Sequence, residues 1–146
     1  MSTLSLQEEA VFAAGSFWES EDIFSRLRGV ISTDVGYTGG TASNPTFHEL
    51  GDHTEAVRVY FDRRIISYEE LLDTFWKLHD SSSDMVDRYW SAIFYISEAQ
   101  RKLAEASAKQ KREDPEEMRT TIEPLTRFWI AEEYHQHYLA KLRGEL

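Results

Sequence analysis

Apolar positions along the chain follow two rhythms. Ala10 to Ala14 is a short unbroken apolar run closed by Gly15, and its length, with Val11 and Phe12 inside it, predicts a buried strand. After Ser16 the spacing becomes helical, with Phe17, Ile23, Phe24 and Leu27 recurring on one side until Gly29 stops the pattern. Ser16 therefore stands at a helix N-terminus, where unpaired N–H groups and the positive end of the dipole gather. Val30 to Tyr37 alternates as a strand, and Thr38 to Pro45 is loop by composition. Glu55 to Phe61 is the next strand. Ser67 to Leu78 is a helix opened by a capping box of Ser67 and Glu70, with an apolar stripe at Tyr68, Leu71, Leu72, Phe75, Trp76 and Leu78.

His79 to Asp84 reads as a polar loop and Ala92 to Ile96 as another buried strand. Residues 98 to 112 form a charged helix supported by Glu98 with Lys102 and Glu105 with Lys109, a solvated face. Thr120 to Leu125 adds an edge strand that tolerates Pro124, and Ala131 to Leu142 a last helix. The order β-α-β-β-α-β followed by more helix and strand predicts an α+β fold. It is a two-layer sandwich on a ferredoxin-like split βαβ sheet, with added C-terminal helices. With no internal repeat or linker, residues 1–146 read as one domain.

That length suffices to bury roughly 70% of the surface the unfolded chain exposes. Sixteen Lys and Arg against 26 Asp and Glu leave a net charge of -10, which repels phosphate backbones and anionic lipid, so no nucleic-acid or membrane partner is expected. A hydrophobic share of 41%, with four Trp, seven Tyr and eight Phe, excludes a disordered chain. Zero cysteines remove disulfides, thiolate metal sites and any thiol nucleophile together. The first residues carry neither a basic nor an apolar leader segment, and the expected location is cytoplasmic.

Gly15-Ser16-Phe17-Trp18 resembles the Gly-Cys-Phe-Trp signature of A-type peptide methionine sulfoxide reductases. The resemblance continues in order through Gly36-Tyr37-Thr38-Gly39-Gly40, Asn44-Pro45-Thr46-Phe47, His53-Thr54-Glu55-Ala56-Val57, Phe75-Trp76, Ser91-Ala92-Ile93-Phe94-Tyr95 and Ala131-Glu132-Glu133-Tyr134-His135-Gln136, spanning about Val11 to Leu142. What it implies is reduction of the S epimer of methionine sulfoxide, free or in a peptide, with no cofactor and no metal. By the same resemblance Ser16 stands at the nucleophile's position, Phe17 and Trp18 wall the S-methyl group, and Glu55 is the acid at the departing oxygen. Tyr37 and Tyr89 are hydroxyl donors to that oxygen, Asp84 is the carboxylate beside them, and His53 belongs to the substrate-binding set. A polarised sulfoxide needs such donors at oxygen and an apolar cage at methyl.

Serine cannot follow the family's chemistry. Its hydroxyl is scarcely ionised near neutrality, and an oxygen atom passed to it would give a hydroperoxide rather than a reducible sulfenic acid. As written, the chain is expected not to reduce methionine sulfoxide. Two explanations stand open: Ser16 replaces a native cysteine recycled by an external, thioredoxin-type thiol, or the serine is native to a divergent relative that binds methionine sulfoxide or a similar small polar ligand. Other departures favour divergence. The family's Asp-x-Gly-x-Gln-Tyr-Arg-Ser stretch reads Asp84-Met85-Val86-Asp87-Arg88-Tyr89-Trp90-Ser91, with glycine and glutamine lost and Trp90 in place of arginine.

Simpler assignments compete at several positions. Phe17 and Trp18 also suit a helix core, Tyr37 a packed turn, and Glu55 a salt bridge facing a sheet edge. Alternation puts His53 and Glu55 on one face of their strand. His53-Thr54-Glu55 matches the His-x-Glu of zinc deaminases only superficially, since no cysteine pair completes the site. A Ser16, His53, Glu55 triad lacks the Gly-x-Ser-x-Gly elbow. His135 and His137 fall on opposite sides of the expected last helix, and Tyr134, His135 and Tyr138 are expected to dock it, with a place near the site left open.

Overall fold

The computed structural model describes residues 6–78, 88–111 and 119–146. Six strands and four helices follow one another as β1 (Gln7–Ala14), α1 (Phe17–Ser25), β2 (Val30–Thr38), β3 (Thr54–Asp62), α2 (Tyr68–Leu78), β4 (Ser91–Tyr95), α3 (Glu98–Lys111), β5 (Thr121–Pro124), β6 (Trp129–Ile130) and α4 (Tyr138–Leu142). They build one sheet in the order β5-β4-β1-β3-β2-β6. The four inner strands are mutually antiparallel, as a split βαβ arrangement requires, while β5 returns parallel to β4 after α3. The α+β sandwich expected from the hydrophobic pattern is the observed one.

Period-two alternation sorts the central strands onto two faces. Ala10, Phe12 and Ala14 of β1 face the same side as Val57, Val59 and Phe61 of β3, and α1 and α2 cover that side with Phe17, Phe24, Leu71, Leu72 and Phe75. Phe12 is the hub: its ring stacks on Phe24 at 5.1 Å and meets Phe75 at 5.5 Å. Val11, Ala13, Ala56, Ala92 and Phe94 form a smaller cluster on the other face, under Trp90, Leu125 and Phe128.

Local signals act where they were expected. Ser67 Oγ accepts the Glu70 N–H at 3.1 Å and Glu70 Oε1 accepts the Ser67 N–H at 3.2 Å, so the capping box opens α2. Gly15 has φ +77, the conformation that lets β1 turn at once into α1. Gly36 lies where a side chain would run into the Trp129 carbonyl and the Phe128 ring, which is how β6 approaches β2 so closely.

The C-terminal segment departs from expectation. In place of a continuous helix from Ala131 to Leu142, it runs as the short β6, a 3-10 turn at Glu133–His135 and the five-residue α4. His137 between them is left-handed at φ 53, so His135 and His137 do not share a helix. The cause is tertiary. Gln136 caps the edge of β2, its Oε1 accepting the Val35 N–H and its amide donating to the carbonyls of Val35 and Ala131. That grip pulls the backbone out of helical register.

Candidate active site at the head of the first helix

The strand-to-helix turn between β1 and α1 gathers the site. Ser16 is the N-cap of α1, and its Oγ accepts the Trp18 N–H at 3.3 Å. The adjacent orphan donor, the Phe17 N–H, goes to Glu55 Oε1 at 3.1 Å. Serine hydroxyl and glutamate carboxylate thus meet at the positive end of one helix.

Glu55 is 1% exposed and stands opposite Tyr37 in the β2–β3 register. It belongs to an interior strand, so the expected alternative of an edge-facing salt bridge gives way to a buried one. The Arg88 guanidinium donates through Nη1 to Glu55 Oε2 at 3.3 Å. Burial pushes the Glu55 carboxyl above the usual carboxylate range, while the Phe17 N–H and Arg88 pull it back down.

An aromatic wall lies beside this carboxylate. The Phe17 ring is 5.8 Å from Tyr37, 5.3 Å from His135 and 6.5 Å from Phe47, and the Trp18 indole stacks on Tyr138 at 3.9 Å. Trp18 Nε1 donates to His135 Nδ1 at 2.9 Å, which places the proton of the neutral imidazole on Nε2. That Nε2 is buried without a hydrogen-bond partner among the described residues. Burial also holds the His135 imidazole below its usual range.

The Tyr37 hydroxyl donates to Glu132 Oε1 at 2.7 Å, and Glu132 Oε2 accepts the Phe47 N–H at 3.0 Å. Burial and that carboxylate raise the Tyr37 phenol far above the usual range, so it stays protonated. Phe17, Trp18, Tyr37 and Glu55, the residues the resemblance singles out, lie together near Ser16. Tyr89 is 42% exposed at the rim, near enough for its phenol to feel Glu55 and Arg88. Asp84 and the start of its altered stretch lie outside the described residues.

His53 anchors the loop that leads into the strand. It precedes β3, its Nδ1 accepting the Gly40 N–H at 3.1 Å and its Nε2 lying 2.6 Å from the Ala42 carbonyl, so both ring nitrogens serve the 39–53 loop. Asp52 completes that loop by accepting the Thr41 and Ala42 N–H groups, which lowers its carboxyl. His48, Glu49, Leu50, Gly51, His53 and Arg88 line a cavity of about 370 Å³ next to the site.

Four residues escaped the reading of the sequence as members of the site: Phe47, Arg88, Glu132 and His135. Phe47, Glu132 and His135 sit in blocks that carry the resemblance, and the His135 ring was expected to dock a helix, with a place near the site left open. Arg88 was noticed as a departure, but nothing in its surroundings along the chain pairs it with Glu55, 33 positions away.

This arrangement has known counterparts. The family model described as peptide methionine sulfoxide reductase matches residues 8–145. The peptide methionine sulfoxide reductase MsrA of Methanothermobacter thermautotrophicus is 43% identical over 154 residues, covering 97% of this chain and 91% of that protein. The MsrA of Methanosarcina acetivorans is 41% identical over 92% of this chain and 78% of its own length. Among solved structures, methionine sulfoxide reductase A of Corynebacterium diphtheriae superposes with a TM-score of 0.86 at 28% identity, over 93% of this chain and 75% of that one. Reduced Mxr1 of Saccharomyces cerevisiae gives 0.86 at 26% identity, over 94% and 86%. The chain belongs to the A-type peptide methionine sulfoxide reductase family.

Proposed function

We propose that this chain keeps the family's pocket for methionine S-sulfoxide and lacks the redox step. The observation that carries the reading is the convergence of Ser16 Oγ and the Glu55 carboxylate on the first two N–H groups of α1, beside a wall of Phe17 and Trp18. In this position a thiolate would be favoured by the helix dipole and would attack the sulfoxide sulfur. The serine hydroxyl instead holds its proton and caps the helix. Phe17 and Trp18 take the S-methyl group, His135 Nε2 offers a donor on the polar side, and Tyr37 can offer its own only by turning its hydroxyl away from Glu132.

The test is turnover with dithiothreitol on a methionine sulfoxide substrate. The chain as written is expected to show none, and measurable reduction overturns the reading. A Ser16→Cys variant is expected to gain activity confined to the S epimer, with a thioredoxin-type thiol then serving as reductant. A second reading, a divergent relative that only binds methionine sulfoxide or a similar small polar ligand, is favoured by the Arg88 guanidinium on Glu55. It predicts that Ser16→Cys stays inactive while calorimetric titration still detects the sulfoxide.

A further inference from the structure

Arg88 sits between the buried site and the open cavity. Its Nη1 donates to Glu55 Oε2 at 3.3 Å, its Nη2 donates to the Phe47 carbonyl at 2.7 Å, and its plane lies over the Phe47 ring at 4.4 Å. Three contacts of different kinds fix one guanidinium, so its position is set by the fold. Two of the five N–H groups of a guanidinium are used in these bonds, and the same side chain lines the 370 Å³ cavity with His48, Glu49, Leu50, Gly51 and His53.

Glu55, by contrast, already accepts one hydrogen bond at each oxygen. Oε1 faces the Phe17 N–H and Oε2 faces Arg88, two donors that both require an acceptor. Each of these bonds occupies one lone pair of its oxygen and ties the carboxylate to the helix N-terminus on one side and to the guanidinium on the other. A sulfoxide oxygen is an acceptor and needs a donor, and the charged donor nearest this carboxylate that also reaches the cavity is Arg88.

We infer that Arg88 binds the sulfoxide oxygen in this chain, reaching it from the cavity side, while its hydrogen bond to Glu55 holds the guanidinium in place. Arg88 is then a specificity-determining residue: it favours the sulfoxide over the thioether, because a thioether sulfur is a poor acceptor for a guanidinium. The inference rests on the proposed sulfoxide pocket.

Calorimetric titration with two probes, the S-epimer sulfoxide of N-acetylmethionine methylamide and the unoxidised parent amide, separates the possibilities. The wild-type chain is expected to prefer the sulfoxide roughly ten- to a hundredfold, the range of one charge-assisted hydrogen bond. Arg88→Met is expected to bind both probes about equally, and Arg88→Lys, which keeps the charge without the fork, to fall between. Near-ultraviolet circular dichroism checks that each variant is folded. If Arg88→Met does not fold, Arg88→Lys decides alone, and an unchanged preference there overturns the inference.

A folded Arg88→Met that keeps the wild-type preference shows that Arg88 only props Glu55, and overturns it. So does an Arg88→Met that binds the sulfoxide more tightly, since Arg88 would then be blocking Glu55. A wild-type chain that binds both probes equally overturns the role of Arg88 while leaving the pocket intact. A wild-type chain that binds neither overturns the pocket itself.

Discussion

Two glutamates, Glu21 and Glu55, are each 1% exposed and each contact the same short stretch of structure around α1, yet they serve opposite ends of it. Glu55 is held by one backbone N–H and one guanidinium, and that guanidinium lines a cavity. Glu21 is held by neutral donors alone within 3 Å. Its Oε2 accepts the Thr33 hydroxyl at 2.9 Å and its Oε1 accepts the His137 N–H at 2.6 Å, with the His137 imidazole further off at 3.8 Å. Burial raises both carboxyls above their usual range. The difference teaches what each is for: neutral donors satisfy a carboxyl in either protonation state and suit a structural latch, whereas a guanidinium demands an anion and suits a site.

Truncation should break the latch most severely. Glu21→Ala strands the Thr33 hydroxyl and the His137 N–H in a buried space and leaves a cavity, a loss of about 3 kcal/mol in unfolding free energy that urea denaturation would read. The site should suffer with it, because the His137 backbone holds the segment that carries His135 and Tyr138. If Glu21→Ala costs less than 1 kcal/mol by the same criterion, water or a shifted backbone replaces the carboxylate.

Amide replacement sharpens the contrast. In Glu21→Gln the amide oxygen can take the His137 N–H while the NH₂ donates to Thr33 Oγ, so both contacts survive once the Thr33 hydroxyl rotates. In Glu55→Gln one face of the amide must present NH₂ to a donor, either the Phe17 N–H or Arg88. Glu55→Gln is therefore expected to cost about 1–2 kcal/mol more than Glu21→Gln. Equal losses would show that Arg88 swings away once the charge is gone.

The smallest effect is in the pH dependence. With both folded values raised above the reference of 4.5, the folded chain holds these protons more tightly than the unfolded one. The stability this gives is fully present below 4.5 and is lost as pH rises through each folded value. Glu21→Gln removes one such group, so its stability relative to wild type should improve between pH 4.5 and pH 7.5, measured by urea midpoints. A relative stability that worsens over that span would mean that the His137 imidazole dominates Glu21.

The comparison also marks where sequence was legible. The core strands and α1, α2 and α3 follow from periodicity, because burial on one face repeats every two or 3.6 residues and leaves a local trace. Ser16 and Ser67 were legible as caps for the same reason: a cap bonds within three residues. Glu55 stood out as a charge in an apolar strand. Its partner did not, since Arg88 reaches it only through folding, and Glu21 passed for one more acid on a helix because Thr33 and His137 are its partners through space. His53, one residue before β3, has its ring partners in the 39–53 loop, which alternation along the strand does not reveal. The break at His137 opposed a segment of good helix formers, and only the hold of Gln136 on β2 accounts for it.

Glu132 bonds Tyr37 across 95 positions and the Phe47 N–H across 85, and Trp18 reaches His135 across 117. The sheet around Phe12 can close with β1, β3 and the helices α1 and α2 before any of these contacts exists. The pocket is therefore the last thing the chain makes, since closing loops of such length must await an already formed surface to land on. A refolding chain should recover its far-ultraviolet signal ahead of its ligand, and the interval between the two is the time the 129–142 segment takes to find its seat.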